Sequence, residues 1–196
     1  MQCAVPVKPA CAQSDAMNQG FIWIGGAGLA ACAVFVGEPQ RTVVLVGMML
    51  FFPLVDRHWR APGLPRKPVH YAAWLGLLLI AAVLLLLRPQ HLEFALSTLL
   101  VAALPEEWFF RAYFMTRLQE TRWARGWRAN IVTALLFCGL HGLTRGWLVG
   151  LWVFLPSLFY GWLYQRTRDL PLVVLSHALS NLVFVVLLSR YFTLLN

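Results

Sequence analysis

Residues 92–116 read LEFALSTLLVAALPEEWFFRAYFMT, and this stretch decides the fold. It is long enough to cross a membrane, because a helix spans the ~30 Å hydrocarbon core with about 20 residues. Within it lies PEEWFFR at 105–111, which places Glu106, Glu107 and Arg111 among apolar side chains. Ionisable residues are costly inside a membrane segment and usually face a cavity or a partner. The stretch therefore predicts a spanning helix that carries functional groups.

The composition of the whole chain is that of a membrane protein. Its 196 residues are 60% hydrophobic and only 12% charged, with a mean hydropathy of +0.67. Soluble domains carry about 25% charged residues, and a chain of this length forms one domain by default. We therefore expect a single integral membrane domain over 1–196. The net charge of +8 is spread in short clusters between apolar runs, which is typical of a membrane protein and excludes a nucleic-acid footprint.

Apolar runs recur along the chain and predict an all-α, polytopic helix bundle of about seven spans, because a backbone in lipid must satisfy its own hydrogen bonds. The part of the chain that bears the motifs described below occupies about 95–190, and short N-terminal spans at about 20–55 precede it. Two runs, 42–55 and 129–144, fall short of the ~20 residues that a span needs and would be tilted or re-entrant. The runs are 20–37, 42–55, 71–87, 92–116, 129–144, 146–164 and 170–190.

Basic residues between the runs predict the orientation. With seven crossings, one side receives eleven basic residues and the other receives four, which places the N-terminus in the cytoplasm and the C-terminus outside. A bacterial inner membrane is the expected location. The richer side holds Lys8, Arg57, Arg60, Arg66, Lys67, Arg117, Arg122, Arg125, Arg128, Arg166 and Arg168, and the other holds Arg41, Arg88, Arg145 and Arg190.

The cysteines do not indicate a metal or redox site, and the first apolar run does not indicate a cleaved signal. Cys3, Cys11, Cys32 and Cys138 show no paired metal or redox spacing. The sequence 29–32 looks like a lipoprotein cleavage site, but the apolar run continues beyond it and the segment before it is long and weakly basic. We expect a retained first span.

The carboxylates of the fourth run separate into two roles. Glu107 and Arg111 are four residues apart, so on a helix they share a face and can pair. Glu106 projects about 100° away from Glu107 and is left free, which makes it a candidate general base. The alternative is a structural ion pair at the end of a span, with Glu106 reaching the lipid headgroups.

Three further polar residues lie in later runs. His141 ends FCGLH at 137–141, and His177 and Asn181 share a face of LSHALSNLVF at 175–184. Taken alone, each could be a packing residue or an interhelical hydrogen-bond partner. Counted at ~1.5 Å per residue, however, all three lie with Glu106 roughly 12–20 Å from the basic side. This common depth favours one convergent site.

Such a set suits hydrolysis of an amide inside the membrane. A carboxylate and a histidine that share a water can remove its proton, and a histidine with an asparagine can stabilise an oxyanion. Ser176, Ser180 and Cys138 adjoin the site, but none has a clear base, so water is the better nucleophile.

The motifs E-E-x-x-x-R at 106–111, F-x-x-x-H at 137–141 and H-x-x-x-N at 177–181 resemble those of the CAAX-processing and bacteriocin-processing (Abi, type II CAAX prenyl endopeptidase) intramembrane proteases. The resemblance covers about half the chain. It implies a glutamic-type endopeptidase in which Glu106 and His141 activate water and His177 and Asn181 form the oxyanion site. It also implies that Glu107 and Arg111 support Glu106 and that Phe137 lines the pocket. No cofactor is expected; zinc on one glutamate and two histidines is the minor alternative.

The sequence is compatible with more than one substrate and with more than one class of function. A membrane-anchored partner is expected, either a prenylated CAAX protein, a bacteriocin precursor or a C-terminal sorting tail. A non-catalytic membrane scaffold or bacteriocin self-immunity protein would retain the same residues for packing. A small transporter is disfavoured because the chain shows no paired half-sequences.

Overall fold

The computed structural model describes residues 10–64, 67–121 and 123–188, with side chains from residue 20 to residue 187. These residues form seven helices and no strand, which confirms the all-α fold. Cys3, Cys11, Lys8, Arg66, Arg122 and Arg190 lie outside the described side chains. The helices are α1 (Ala10–Phe35), α2 (Gln40–Val55), α3 (Pro68–Leu87), α4 (Leu92–Ser97, Thr98–Ala103, Leu104–Glu107, Trp108–Met115 and Thr116–Gln119), α5 (Trp127–Arg145), α6 (Trp147–Trp152 and Phe154–Thr167) and α7 (Leu170–Val183 and Phe184–Leu188).

Helix α4 is the centre of the bundle and packs against α1, α2, α5, α6 and α7. Its second half is buried on all sides, so that even Arg111 and the ring of Tyr113 are fully covered. A helix that is apolar all round is typical of such a central position. Glu106, Glu107 and Arg111 therefore lie inside the protein.

Helix α3 is peripheral. It has no buried residue and packs mainly against α7. Three helical segments in the described chain are long and apolar enough to cross a membrane: Pro68–Leu87, Trp147–Thr167 and Leu170–Leu187. Gly20–Phe35 and Gln40–Val55 are apolar but shorter. The chain is an integral membrane protein; the count of seven crossings stays a prediction.

Helix α4 continues without a break through Pro105, which has no backbone N–H to donate just before Glu106. The chain is helical throughout, with wider π-helical turns at Thr98–Ala103 and Trp108–Met115 on either side of Leu104–Glu107. The N–H of Leu104 bonds to the carbonyl of Leu99, five residues back. Wider turns of this kind re-aim side chains and are frequent at functional sites.

Two helix ends bear on the site. Helix α5 ends at Arg145, where Gly146 adopts a φ of +95° that favours glycine. Helix α7 begins after Asp169, whose carboxylate accepts a hydrogen bond from the N–H of Leu172 at 2.9 Å. This is a standard N-cap, and it sets the start of the helix that carries His177.

Candidate active site

Glu107 lies at the centre of the candidate site. Its carboxylate is fully buried and contacts two helices at once. One oxygen accepts a hydrogen bond from Nδ1 of His177 at 2.7 Å, and the other lies 3.0 Å from Nε of Arg111. The pair of Glu107 and Arg111 expected from their four-residue spacing is therefore present. The contact with His177 joins α4 to α7, which no local spacing could indicate.

Arg111 links the carboxylate to α6. Its Nη2 donates to the hydroxyl of Ser157 at 2.9 Å and to the carbonyl of the same residue at 3.2 Å. The guanidinium carbon lies 5.1 Å from the centre of the Phe137 ring, within the range of a cation–π contact. A fully buried guanidinium needs such partners, because an unpaired buried charge is strongly unfavourable. Arg111 thus ties α4, α5 and α6 together beneath the site.

Glu106 approaches the second ring nitrogen of His177. Its Oε2 lies 3.8 Å from Nε2 of His177, and 9% of the residue is exposed. Within the described residues no direct contact joins Glu106 to His141. The reason is the helix geometry: the two glutamates point in different directions from α4 and approach the two nitrogens of one imidazole. His177 therefore lies between the two carboxylates.

His141 is oriented by its own helix. Its Nδ1 donates to the carbonyl of Phe137 at 3.1 Å, so Nε2 is the nitrogen left to act on a ligand or water. The rings of Phe137 and His141 are 4.3 Å apart, and those of Phe137 and His177 are 6.4 Å apart. Phe137 thus packs against both histidines.

Asn181 lies one helical turn after His177 and is half-buried. Its side chain makes no hydrogen bond to the described residues, so its amide N–H groups are available to a ligand. All seven residues expected at the site thus lie on α4, α5 and α7. Contacts join six of them, and Asn181 follows by its position on α7.

Sequence reasoning missed the contribution of α6. The Tyr160 ring stacks on His177 with centroids 4.9 Å apart and planes within 17°, and Ser157 holds Arg111. The buried face of Phe154–Thr167 consists of Ser157, Tyr160, Gly161 and Tyr164. Their spacing of three or four residues is that of one helical face, and this polar stripe in an apolar run was the available signal.

The described residues do not fit a metal centre. No three His, Cys, Asp or Glu side chains among them lie close enough together to hold one ion. In particular, Nδ1 of His177 is already bonded to Glu107, and His141 has no contact with Glu106. We derive no step through a metal.

Comparison with known families supports the resemblance noted in the motifs. Residues 88–183 match the model of the Rce1-like type II CAAX prenyl endopeptidases. These residues resemble an Rce1-like endopeptidase domain. The matched segment contains all seven candidate site residues and every helix that forms the site, and it supports a peptidase at the level of the family. Comparisons with curated proteins and with solved structures gave no significant match.

Proposed function

We propose that the protein is a glutamic-type intramembrane endopeptidase that hydrolyses a peptide bond close to a lipid-modified or membrane-anchored segment. The observation that carries the proposal is the buried His177 held between Glu107 and Glu106, within the segment that matches the CAAX endopeptidase model. Two carboxylates, an arginine and two histidines are more than packing requires, because each buried charge has a desolvation cost.

In the proposed reaction Glu106 is the general base. It removes a proton from a water molecule, with Nε2 of His141 as a second acceptor that orients that water. The water oxygen attacks the carbonyl carbon of the substrate and forms a tetrahedral intermediate. Collapse of this intermediate breaks the C–N bond, and protonated Glu106 returns its proton to the leaving amine. The products are a new carboxylate and a new amine.

His177 and Asn181 serve the oxyanion in this proposal. Nδ1 of His177 donates to the ionised Glu107, which fixes the ring in one orientation, as a carboxylate does for a catalytic imidazole. His177 and the amide of Asn181 stabilise the oxyanion. The buried guanidinium of Arg111, whose Nε lies 3.0 Å from Glu107, offsets the charge of that carboxylate.

The substrate is proposed at the level of its chemistry. The family name describes endopeptidases of prenylated CAAX substrates, and His177 and Asn181 lie on a helix that is long and apolar enough to cross a membrane. A peptide with a lipid-modified or transmembrane anchor fits both facts. Prenylated CAAX proteins, peptide precursors and C-terminal sorting tails are the substrate classes to be tested.

Cleavage in membranes tests the proposal. Vesicles with the full-length protein are mixed with membrane-anchored candidates from each class, and products are identified by mass spectrometry. We expect Glu106→Gln to lower the rate by about 10²–10⁴-fold, the usual contribution of a general base. Glu93→Gln is the matched control, because Glu93 is an exposed carboxylate on the same helix and should cleave like the wild type.

Three other results would contradict the proposal. Normal cleavage by the Glu106→Gln variant would show that Glu106 is not the general base. Loss of wild-type activity with a strong chelator, and its return with zinc, would replace the glutamic mechanism by a metal-dependent one. Absence of product from every substrate class, with intact folding, would favour the scaffold or self-immunity alternative.

A further inference from the structure

A second cavity lies on the basic side of the protein, away from the candidate active site. It has a volume of about 470 Å³ and is bounded by the segment after α2, the start of α3 and the ends of α4 and α6. Its size is within the range of small-ligand sites. It is lined by Arg60, Pro62, Gly63, Lys67, His70, Ala112, Thr116, Tyr164, Arg166, Thr167 and Arg168.

The lining of this cavity has one sign of charge. Four basic side chains line it, and no acidic side chain does. Arg60, Lys67 and Arg166 make no ion pair with the described residues. The fourth, Arg168, is held in place by Gln119, to which its Nη2 donates at 2.9 Å. Four cations around one cavity repel one another unless an anion lies between them.

The nearest carboxylate cannot supply this anion. Asp169 is fully buried behind His70, and its Oδ2 already accepts from Nδ1 of His70 at 2.7 Å and from the Trp74 indole at 2.9 Å. Its Oδ1 caps α7 through the N–H of Leu172. The carboxylate therefore stabilises the wall of the cavity and leaves the four basic side chains without a counter-ion.

The backbone adds a second feature that suits an anion. Helix α3 begins at this cavity, and its N-cap residue Lys67 makes no side-chain capping bond. Pro68 at the first position of this helix has no N–H, and the N–H of His70 donates to the carbonyl of Lys67 at 3.0 Å. The helix start therefore contributes its partial positive charge to the cavity rather than a set of free donors. The start of this 20-residue helix and the four basic side chains thus converge on one space.

We propose that this cavity binds a phosphate-bearing anion, with the phosphodiester headgroup of an anionic phospholipid as the expected source. Basic pockets between membrane helices on the cytoplasmic side are suited to such headgroups, and the charge distribution predicts that this side is cytoplasmic. The site is distinct from the proposed catalytic residues and does not depend on their mechanism. A free phosphate compound has the same chemistry and is separated by the experiment.

Lipid binding by the purified full-length protein tests the proposal. The protein is titrated in neutral detergent with phosphatidylglycerol, phosphatidylcholine and inorganic phosphate, and binding is followed by native mass spectrometry and by the unfolding temperature. We expect selective binding of phosphatidylglycerol. The triple variant Arg60→Gln, Lys67→Gln, Arg166→Gln should bind it on the order of 100-fold more weakly, because each basic residue contributes roughly a factor of five.

A matched triple variant separates the cavity from general surface charge. Arg57→Gln, Arg125→Gln, Arg128→Gln removes the same charge from exposed residues of the same side that do not line the cavity, and it should bind like the wild type. Equal weakening in both triples, or equal binding of phosphatidylcholine, would overturn the proposal. Inorganic phosphate that competes with the lipid at the same residues would support the anion site and assign it to a free compound. If the cavity triple does not fold, the single variants Arg60→Gln and Arg166→Gln replace it, with about fivefold weakening each.

Discussion

At the scale of single residues, the two neighbouring glutamates of the candidate site have different surroundings. Glu107 is fully buried and bonded to His177 and Arg111, whereas Glu106 is slightly exposed and has only the 3.8 Å contact with His177. Adjacent positions on a helix point about 100° apart, so the two carboxylates reach different environments. One is structural and the other remains available for chemistry.

Replacing Arg111 tests this division. Arg111→Ala leaves the buried Glu107 without its cation and should lower the free energy of unfolding by about 3–5 kcal/mol. Arg111→Lys retains the charge but loses the planar fork that reaches Glu107 and Ser157, and should have a smaller effect. Unfolding in mixed detergent micelles measures both. Arg88→Ala, at the exposed end of α3, is the control and should change stability by less than about 0.5 kcal/mol. Equal stability of Arg111→Ala and this control would refute the structural role.

Replacing Tyr160 tests whether stacking positions His177. Tyr160→Phe keeps the ring that lies 4.9 Å from the imidazole and should retain activity. Tyr160→Leu removes the stack and should lower kcat by on the order of 10–100-fold with little change in KM, because small displacements of a catalytic group are costly. Trp162→Leu, an exposed aromatic on the same helix whose ring packs on Phe159, is the control. A rise in KM alone would assign Tyr160 to substrate binding.

At the scale of elements, the close approach of α5 and α6 sets the positions of Tyr160, which stacks on His177, and of Ser157, which bonds to Arg111. Asn130 on α5 donates to the carbonyl of Leu158 on α6 at 2.9 Å. The approach is close because residue 161 is glycine: a Cβ atom built there would overlap the Asn130 side chain. Small residues allow helices in membranes to pack closely and to hydrogen-bond across the interface. Ser157 and Tyr160 lie on this same face of α6.

Gly161→Ala should therefore separate the two helices. Overpacking of a tight contact costs about 1–3 kcal/mol, and cleavage should fall with it, because Ser157 and Tyr160 move away from Arg111 and His177. Gly76→Ala on α3 is the matched control, since a Cβ there meets nothing within 4 Å. The control should leave stability unchanged or raise it by up to about 1 kcal/mol through helix propensity. The unfolding curves of the two variants make the comparison, and a stable Gly161→Ala protein would show that the interface adapts.

At the scale of the whole molecule, the proposals depend on which side of the membrane each end of the bundle faces. The basic cavity and the connection between α4 and α5 lie on the side that the charges predict to be cytoplasmic. The turn between α3 and α4 lies on the other side. Orientation therefore decides whether the anion site meets the cytoplasmic leaflet.

Cysteine labelling tests this orientation. In a protein whose four native cysteines are replaced by serine, Arg125→Cys should react with an impermeant reagent only after the membrane is opened. Gln90→Cys should react in intact cells, because it lies in the turn after α3. Both positions are exposed, so the two variants control for each other. The reverse pattern would invert the topology, and labelling of both from one side would refute the crossing between them.

The sequence by itself determined the class of fold and pointed to the candidate site residues. Long apolar runs favour helices, and a charged or polar side chain in such a run is conspicuous because of its cost. For the same reasons the apolar runs predicted the seven helices, and the four-residue spacing of Glu107 and Arg111 predicted their ion pair. These are local properties, and they survive any arrangement of the helices.

Only the tertiary structure decided which residues meet. The bond between Glu107 and His177, the contact of Arg111 with Ser157 and the stack of Tyr160 on His177 join different helices. Their formation depends on the rotation and depth of each helix, which packing sets. The same packing brings Glu106 to within 3.8 Å of His177, and the basic cavity appears only once α3, α4 and α6 are brought together.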